Sequence, residues 1–149
     1  MALVMRYQMT DILQDGTLRN YYVSGKIQGF QFDVRLGYYR GHYLSTIDEL
    51  AVEIDNMVIP SQCITFCVNG KEFCPAELKY QVSEFWTILQ PATIKIIYPG
   101  GLAEGEHLVN LTLILRSPYM PLPGATEPHS YTPIDSCDKK TMTLSTKMG

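Results

Sequence analysis

The stretch Gly29-Phe30-Gln31-Phe32-Asp33-Val34-Arg35-Leu36 constrains the fold more than any other part of this sequence. Phe30, Phe32, Val34 and Leu36 recur at every second position, so an extended chain puts all four on one face and Gln31, Asp33 and Arg35 on the other. A helix would scatter the same residues around its axis. One face is therefore available to a core and the other to water or a partner. The stretch runs directly into Gly37-Tyr38-Tyr39-Arg40-Gly41, where two glycines end the extended pattern. The resulting loop presents two tyrosines and an arginine, amphipathic side chains suited to recognition.

The same period of two recurs along the chain between turn signals. Thr17 to Val23 is rich in tyrosine and β-branched residues and closes at Ser24-Gly25-Lys26, which predicts a hairpin into the first stretch. Leu50, Val52 and Ile54 alternate until Asp55-Asn56 breaks the strand ahead of Val58 and Ile59. Cys63 to Val68 ends at Asn69-Gly70, the dipeptide that best suits a tight two-residue hairpin, and Lys71 to Cys74 returns. Phe85 to Leu89 is a short apolar run. Ile94, Ile96 and Tyr98 alternate up to Pro99-Gly100-Gly101, and Val109, Leu111, Leu113 and Leu115 mark the longest alternating run. The only helical turns expected, at Ser45 to Glu49 and Pro75 to Tyr80, are too short for an amphipathic stripe. The pattern predicts an all-β chain, an antiparallel β-sandwich of about eight strands.

The character changes at residue 117. Ser117 to Pro133 holds five prolines, which lack the N–H that a ladder needs, so the segment reads as an extended Pro-rich arm. Tyr119, Met120, Leu122 and Tyr131 make it too apolar for a free linker. Lys139 to Leu144 fits either an edge strand or a frayed tail. The expected division is a β-sandwich at 1–116 and an arm and tail at 117–149, packed on the same domain or on a partner.

With 149 residues the chain has the size of one domain, and such a chain buries roughly 70% of its unfolded surface. A net charge of -3 and scattered basic residues give no stripe for phosphate contacts, which disfavours nucleic acid as a partner. The first residues lack the pattern of a secretory signal, and no apolar run reaches the roughly 18 residues of a membrane span, so the expected location is the cytoplasm. Cys63, Cys67, Cys74 and Cys137 fit no zinc spacing. In a reducing compartment they are expected as buried thiols, Cys63 and Cys67 sharing one strand face. Asn110-Leu111-Thr112 matches a glycosylation sequon but lies within an alternating strand.

Catalytic patterns are not found in the sequence. His42, His107 and His129 are far apart, without a spacing that puts two imidazoles on one metal, and His107 beside Glu106 is expected to be exposed. No nucleophile elbow appears, and the glycines at 100, 101 and 105 are followed by no lysine or helix that would bind phosphate. Asp33 and Arg35, two apart on one strand face, read either as a solvated ion pair or as an interface pair.

Several short segments, in their order and spacing, carry a resemblance. Gly29 to Leu36, Tyr38-Tyr39-Arg40-Gly41, Leu44-Ser45, Val68-Asn69-Gly70, Pro99-Gly100-Gly101-Leu102, Gly105-Glu106-His107 and Tyr119-Met120-Pro121 together resemble the small β subunit of bacterial C-glycoside deglycosidases. The resemblance covers most of the chain. It implies a hetero-oligomer with a larger catalytic α subunit of TIM-barrel type that holds a divalent metal, manganese being typical. It further implies a lyase that cleaves the carbon-carbon bond between a 3-oxo-glucosyl group and a flavonoid-type aglycone. No cofactor and no catalytic residue is expected in this chain itself. The residues expected to meet the partner or shape its site are Tyr38, Tyr39, Arg40 and Tyr43 on the loop and Tyr119, Met120 and Pro121 on the arm. The tail from Gly124 to Cys137 is longer and more polar than the family pattern requires. A free-standing carbohydrate-binding sandwich and a ligand-free oligomerisation protein are the competing classes, the first separable by testing the isolated chain for glycoside binding.

Overall fold

Three two-residue turns set the architecture, because each has both central residues at positive φ, the type I′ geometry whose twist matches that of paired strands. They are Ser24-Gly25 (φ 52 and 81), Asp55-Asn56 (50 and 67) and Asn69-Gly70 (56 and 74). Each lies where the sequence pattern breaks. The computed structural model describes residues 5–6, 12–36, 41–88, 90–121 and 131–144, with the side chains of 5–6, 117–121 and 131–135 excepted.

The strands in chain order are β1 (Met5–Arg6), β2 (Arg19–Val23), β3 (Lys26–Val34), β4 (His42–Tyr43), β5 (Ile47–Ile54), β6 (Met57–Val58), β7 (Ile64–Val68), β8 (Lys71–Phe73), β9 (Phe85–Trp86), β10 (Ala92–Ile97), β11 (Gly105–Pro121), β12 (Tyr131–Asp135) and β13 (Asp138–Leu144). One sheet has the order β1-β12-β11-β5-β6, with β13 also paired to β11, and a second has the order β2-β3-β10-β7-β8. β4 and β9 form a separate two-stranded ribbon. Among the described residues every pairing is antiparallel except that of β1 with β12. The all-β class expected from the period-two pattern is what forms.

A single buried cluster draws on both sheets. Phe30, Phe32 and Val34 of β3, Ile64, Phe66 and Val68 of β7 and Ile94 and Ile96 of β10 join Leu50, Val52 and Ile54 of β5 and Val109, Leu111, Leu113 and Leu115 of β11. These are the alternating residues of each strand, and burying each such side chain contributes roughly 1.5–3 kcal/mol. Asn110, on the opposite face of β11, donates from its amide to Glu53 at 2.9 Å.

Three expectations need correction. The first is the helical turn at Ser45 to Glu49. A 3-10 turn covers Leu44–Thr46 and β5 starts at Ile47, with a register shift between Leu115 opposite Ile47 and Ile114 opposite Glu49. That bulge turns Ile47 and Leu50 both inward, and their spacing of three imitates a helix. The second 3-10 segment, Pro75–Tyr80, lies where it was expected.

The second correction concerns the Pro-rich arm, whose start at residue 117 falls inside continuous β11. Arg116 lies opposite Pro133, pairing lapses, and it resumes where Pro121 meets Tyr131. A proline removes one donor but keeps an extended φ, so it interrupts a ladder without expelling the segment from the sheet. β13 pairs with β11 from Gly105 to Leu111 and buries Met142 and Leu144, so residues 138–144 are no frayed tail. Residues 122–130 lie outside the described residues.

The third correction concerns the cysteines. Cys63 ends a 3-10 turn and Cys67 points away from the core between buried Phe66 and Val68, so the two do not share a strand face. Cys74 is exposed.

Candidate functional site

Among the described residues no three His, Cys, Asp or Glu side chains gather as metal ligands. His42 is buried, which pushes its pKa down to about 4 and keeps the ring neutral at physiological pH. Its Nδ1 lies 3.4 Å from the Thr46 hydroxyl. Burial also pushes the Cys67 thiol up to about 11, which leaves little thiolate for nucleophilic attack. His129 lies outside the described residues.

His107 is not the exposed residue expected. Its Nδ1 meets the Asp55 carboxylate at 2.6 Å and its Nε2 meets the Ala103 carbonyl at 2.7 Å. Two acceptors on one ring favour the imidazolium, so the ring ties the Asp55-Asn56 turn to the loop before β11. Asp33 likewise serves the sheet: it accepts from Thr93 at 2.8 Å and pairs with Arg19 at 3.9 Å, not with Arg35.

The most distinctive surface is built on the β4–β9 ribbon. In this ribbon His42 and Trp86 face inward while Tyr43 lies opposite Phe85. The Tyr43 and Phe85 rings meet edge to face at 4.9 Å, yet the residues stay 48% and 40% exposed. In the segment leading into β9, Tyr80 and Val82 are each 70% exposed. The intervening backbone is tied to the ribbon, since Leu44 donates to the Glu84 carbonyl at 2.9 Å and Ser45 to that of Gln81 at 3.2 Å. An apolar cluster open to water has a cost unless another surface covers it.

Its foundation is rigid. Trp86 is fully buried, meets Phe66 edge to face at 5.3 Å and donates from Nε1 to the Gln90 carbonyl at 2.7 Å. The Asn69 side chain, held in the β7–β8 turn, donates to the Phe85 carbonyl at 2.9 Å, and Lys71 pairs with Glu84. Gly41 sits where a Cβ would come within 2.6 Å of the Phe85 ring and of the Trp86 carbonyl, so only glycine lets the chain pass.

Of the residues expected to meet a partner, Tyr43 lies on this surface. Tyr38, Tyr39 and Arg40 lie outside the described residues, immediately before Gly41. Tyr119, Met120 and Pro121 form the end of β11, and only their backbone is described. Phe85, Tyr80 and Val82 were not anticipated. Phe85 was hidden in a run that reads as uniformly buried; the alternation that sends Trp86 inward sends Phe85 out.

Comparison with known proteins adds a family. The family model described as C-glycoside deglycosidase beta subunit matches residues 9–119. A protein of Eubacterium cellulosolvens named C-glycoside deglycosidase beta subunit is 39% identical over 98 residues, 66% of this chain and 67% of that one. A Microbacterium protein named 3'-dehydrocarminate deglycosidase beta subunit is 36% identical over 97 residues, 64% of this chain and 72% of its own. A C-glycoside deglycosidase beta subunit of Microbacterium trichothecenolyticum is 30% identical over 134 residues, covering 88% of this chain and 92% of its own.

Proposed function

Because the chain belongs to the C-glycoside deglycosidase beta subunit family, we propose that it is the non-catalytic subunit of a C-glycoside deglycosidase and docks a catalytic α subunit through the Tyr43–Phe85 surface. The observation that carries this reading is the pairing of an exposed aromatic cluster with a rigid buried support. Aromatic residues prefer interface centres, and a pre-organised patch loses little entropy on binding. Arg40, with Tyr38 and Tyr39 just before Gly41 in the sequence, would extend the contact, and Tyr119 to Pro121 would add the end of β11.

In this reading the α subunit, of TIM-barrel type, provides the acid-base groups and the divalent metal, manganese being the expectation from the resemblance. Such a metal supplies Lewis-acid polarisation of sugar oxygens. The substrate class is a flavonoid-type aglycone joined by carbon to a 3-oxo-glucosyl group, and the reaction is a lyase elimination. This chain's own residues bind the partner and hold its site in shape. Free thiols at Cys63, Cys67 and Cys74 fit a reducing, cytoplasmic setting.

The test is co-expression with a C-glycoside deglycosidase α subunit and an assay of aglycone release from a 3-oxo-C-glucoside. Release should require this chain. Unchanged release in its absence would contradict the reading.

A further inference from the structure

The outward face of the second sheet holds a concavity of about 560 Å³, within the usual range of small-molecule sites. Its origin is legible in the register. Across β2, β3 and β10 the row Tyr21–Gly29–Ile97 has no side chain at its centre. Gly29 is required there, since a Cβ would lie 1.8 Å from the Ile96 carbonyl oxygen. The pairing of β2 with β3 also shifts between Tyr21 and Tyr22, opposite Gln28, and both tyrosines line the hollow.

The lining has a definite chemistry. Tyr22, Val23 and Ile97 are 61%, 52% and 40% exposed and give apolar surface. Gln28, Gln31, Thr65, Glu72 and Lys95 give hydrogen-bonding groups of both kinds. Glu72 and Lys95 pair with each other at 3.1 Å, so the hollow carries no net charge for an ionic ligand. Lys95 also lies 5.6 Å from the centre of the Tyr21 ring, and Gln31, with its amide oxygen toward Arg19, accepts a hydrogen bond at 2.6 Å. These contacts hold the polar groups in place before any ligand arrives.

From an uncharged hollow with aromatic walls and alternating donors and acceptors, we propose that this face binds a neutral hexopyranoside. The apolar C–H face of the ring would lie on Tyr22, and its hydroxyls would reach Gln28, Gln31, Glu72 and Lys95. None of these residues belongs to the Tyr43–Phe85 surface, so the two sites can be mutated separately, and glycoside binding by a chain that also binds the α subunit distinguishes this site from a free-standing carbohydrate-binding sandwich.

The test is a titration of the full-length chain, labelled with nitrogen-15, with methyl β-D-glucopyranoside. Saturable shifts should appear in amides of β2, β3 and β10 with a dissociation constant on the order of 1 mM, as expected for a ligand with about a dozen non-hydrogen atoms. Tyr22→Ala and Glu72→Ala should each weaken binding at least about fivefold while Trp86 fluorescence shows the fold intact. Sorbitol, with hydroxyls but no ring face, should produce no saturable shift. Absence of saturation with the glucoside, equal binding of sorbitol, or wild-type binding by both variants would overturn the proposal.

Discussion

Replacing Asn69 by alanine and, separately, by glycine divides the work of one residue into its two parts. Asn69 holds φ at 56°, and its side-chain amide donates to the Phe85 carbonyl at 2.9 Å. Alanine in the left-handed region costs about 1 kcal/mol, a cost that glycine escapes. Both variants lose the amide's solvent-exposed bonds, to the Phe85 carbonyl and, longer, to Glu84 at 3.3 Å, together worth about 1 kcal/mol. Asn69→Ala should therefore lose about 2 kcal/mol and Asn69→Gly about 1 kcal/mol. For a chain of this size the first loss corresponds to a fall in Tm of roughly 4–8 °C. Urea denaturation followed by the single tryptophan, Trp86, reads the transition from the neighbour of the bond in question. Equal stability of the two variants would show that the backbone conformation contributes nothing. A glycine variant as stable as the wild type would show that the anchor on Phe85 is not made.

Two further perturbations probe the same framework. Burial opposes charge on His107, but the hydrogen bond to Asp55, the Ala103 carbonyl and the Asp55 charge together raise its pKa, while that of Asp55 is lowered, chiefly by the His107 bond. The stabilisation from His107 should thus be fully present below its unfolded pKa of 6.5 and be lost as pH rises through its higher folded value. That from Asp55 is present above 3.8 and lost as pH falls through its lower folded value. His107→Ala should flatten the stability profile as pH rises above 6.5 and cost about 1 kcal/mol at pH 6, the exposed carboxylate limiting the effect; an unchanged slope in urea titrations would count against the pair. Gly41→Ala places a Cβ 2.6 Å from the Trp86 carbonyl, which cannot rotate away, so a loss of about 1–3 kcal/mol in the same denaturation assay is expected, and none would mean that the ribbon yields freely.

The strands were legible wherever burial on one face imposes alternation. Phe30, Phe32 and Val34, and the residues from Val109 to Leu115, declare their core side without help from the rest of the chain. The turns were legible because Ser24-Gly25, Asp55-Asn56 and Asn69-Gly70 satisfy a conformational demand that few residues meet. Bulges were not: the one at Asp48 makes a strand look helical, because register is fixed by partners distant in sequence. Long-range polar contacts were equally hidden. Nothing near His107 announces Asp55, 52 residues earlier. The surface proposed for docking was half visible, with Tyr43 chosen for its place after Tyr38-Tyr39-Arg40 in the sequence and Phe85 missed because its outward direction depends on pairing with β4.

The central claim is that the Tyr43–Phe85 surface binds the catalytic partner, and Phe85→Asp tests it most directly. The side chain is exposed, so the substitution leaves the core untouched and Trp86 fluorescence and Tm should stay close to wild type. Measured by calorimetry against the purified α subunit, affinity should fall at least tenfold, since truncating an aromatic at an interface centre commonly costs about 2 kcal/mol or more. Wild-type affinity in a folded Phe85→Asp variant would contradict the account and move the interface elsewhere on the chain.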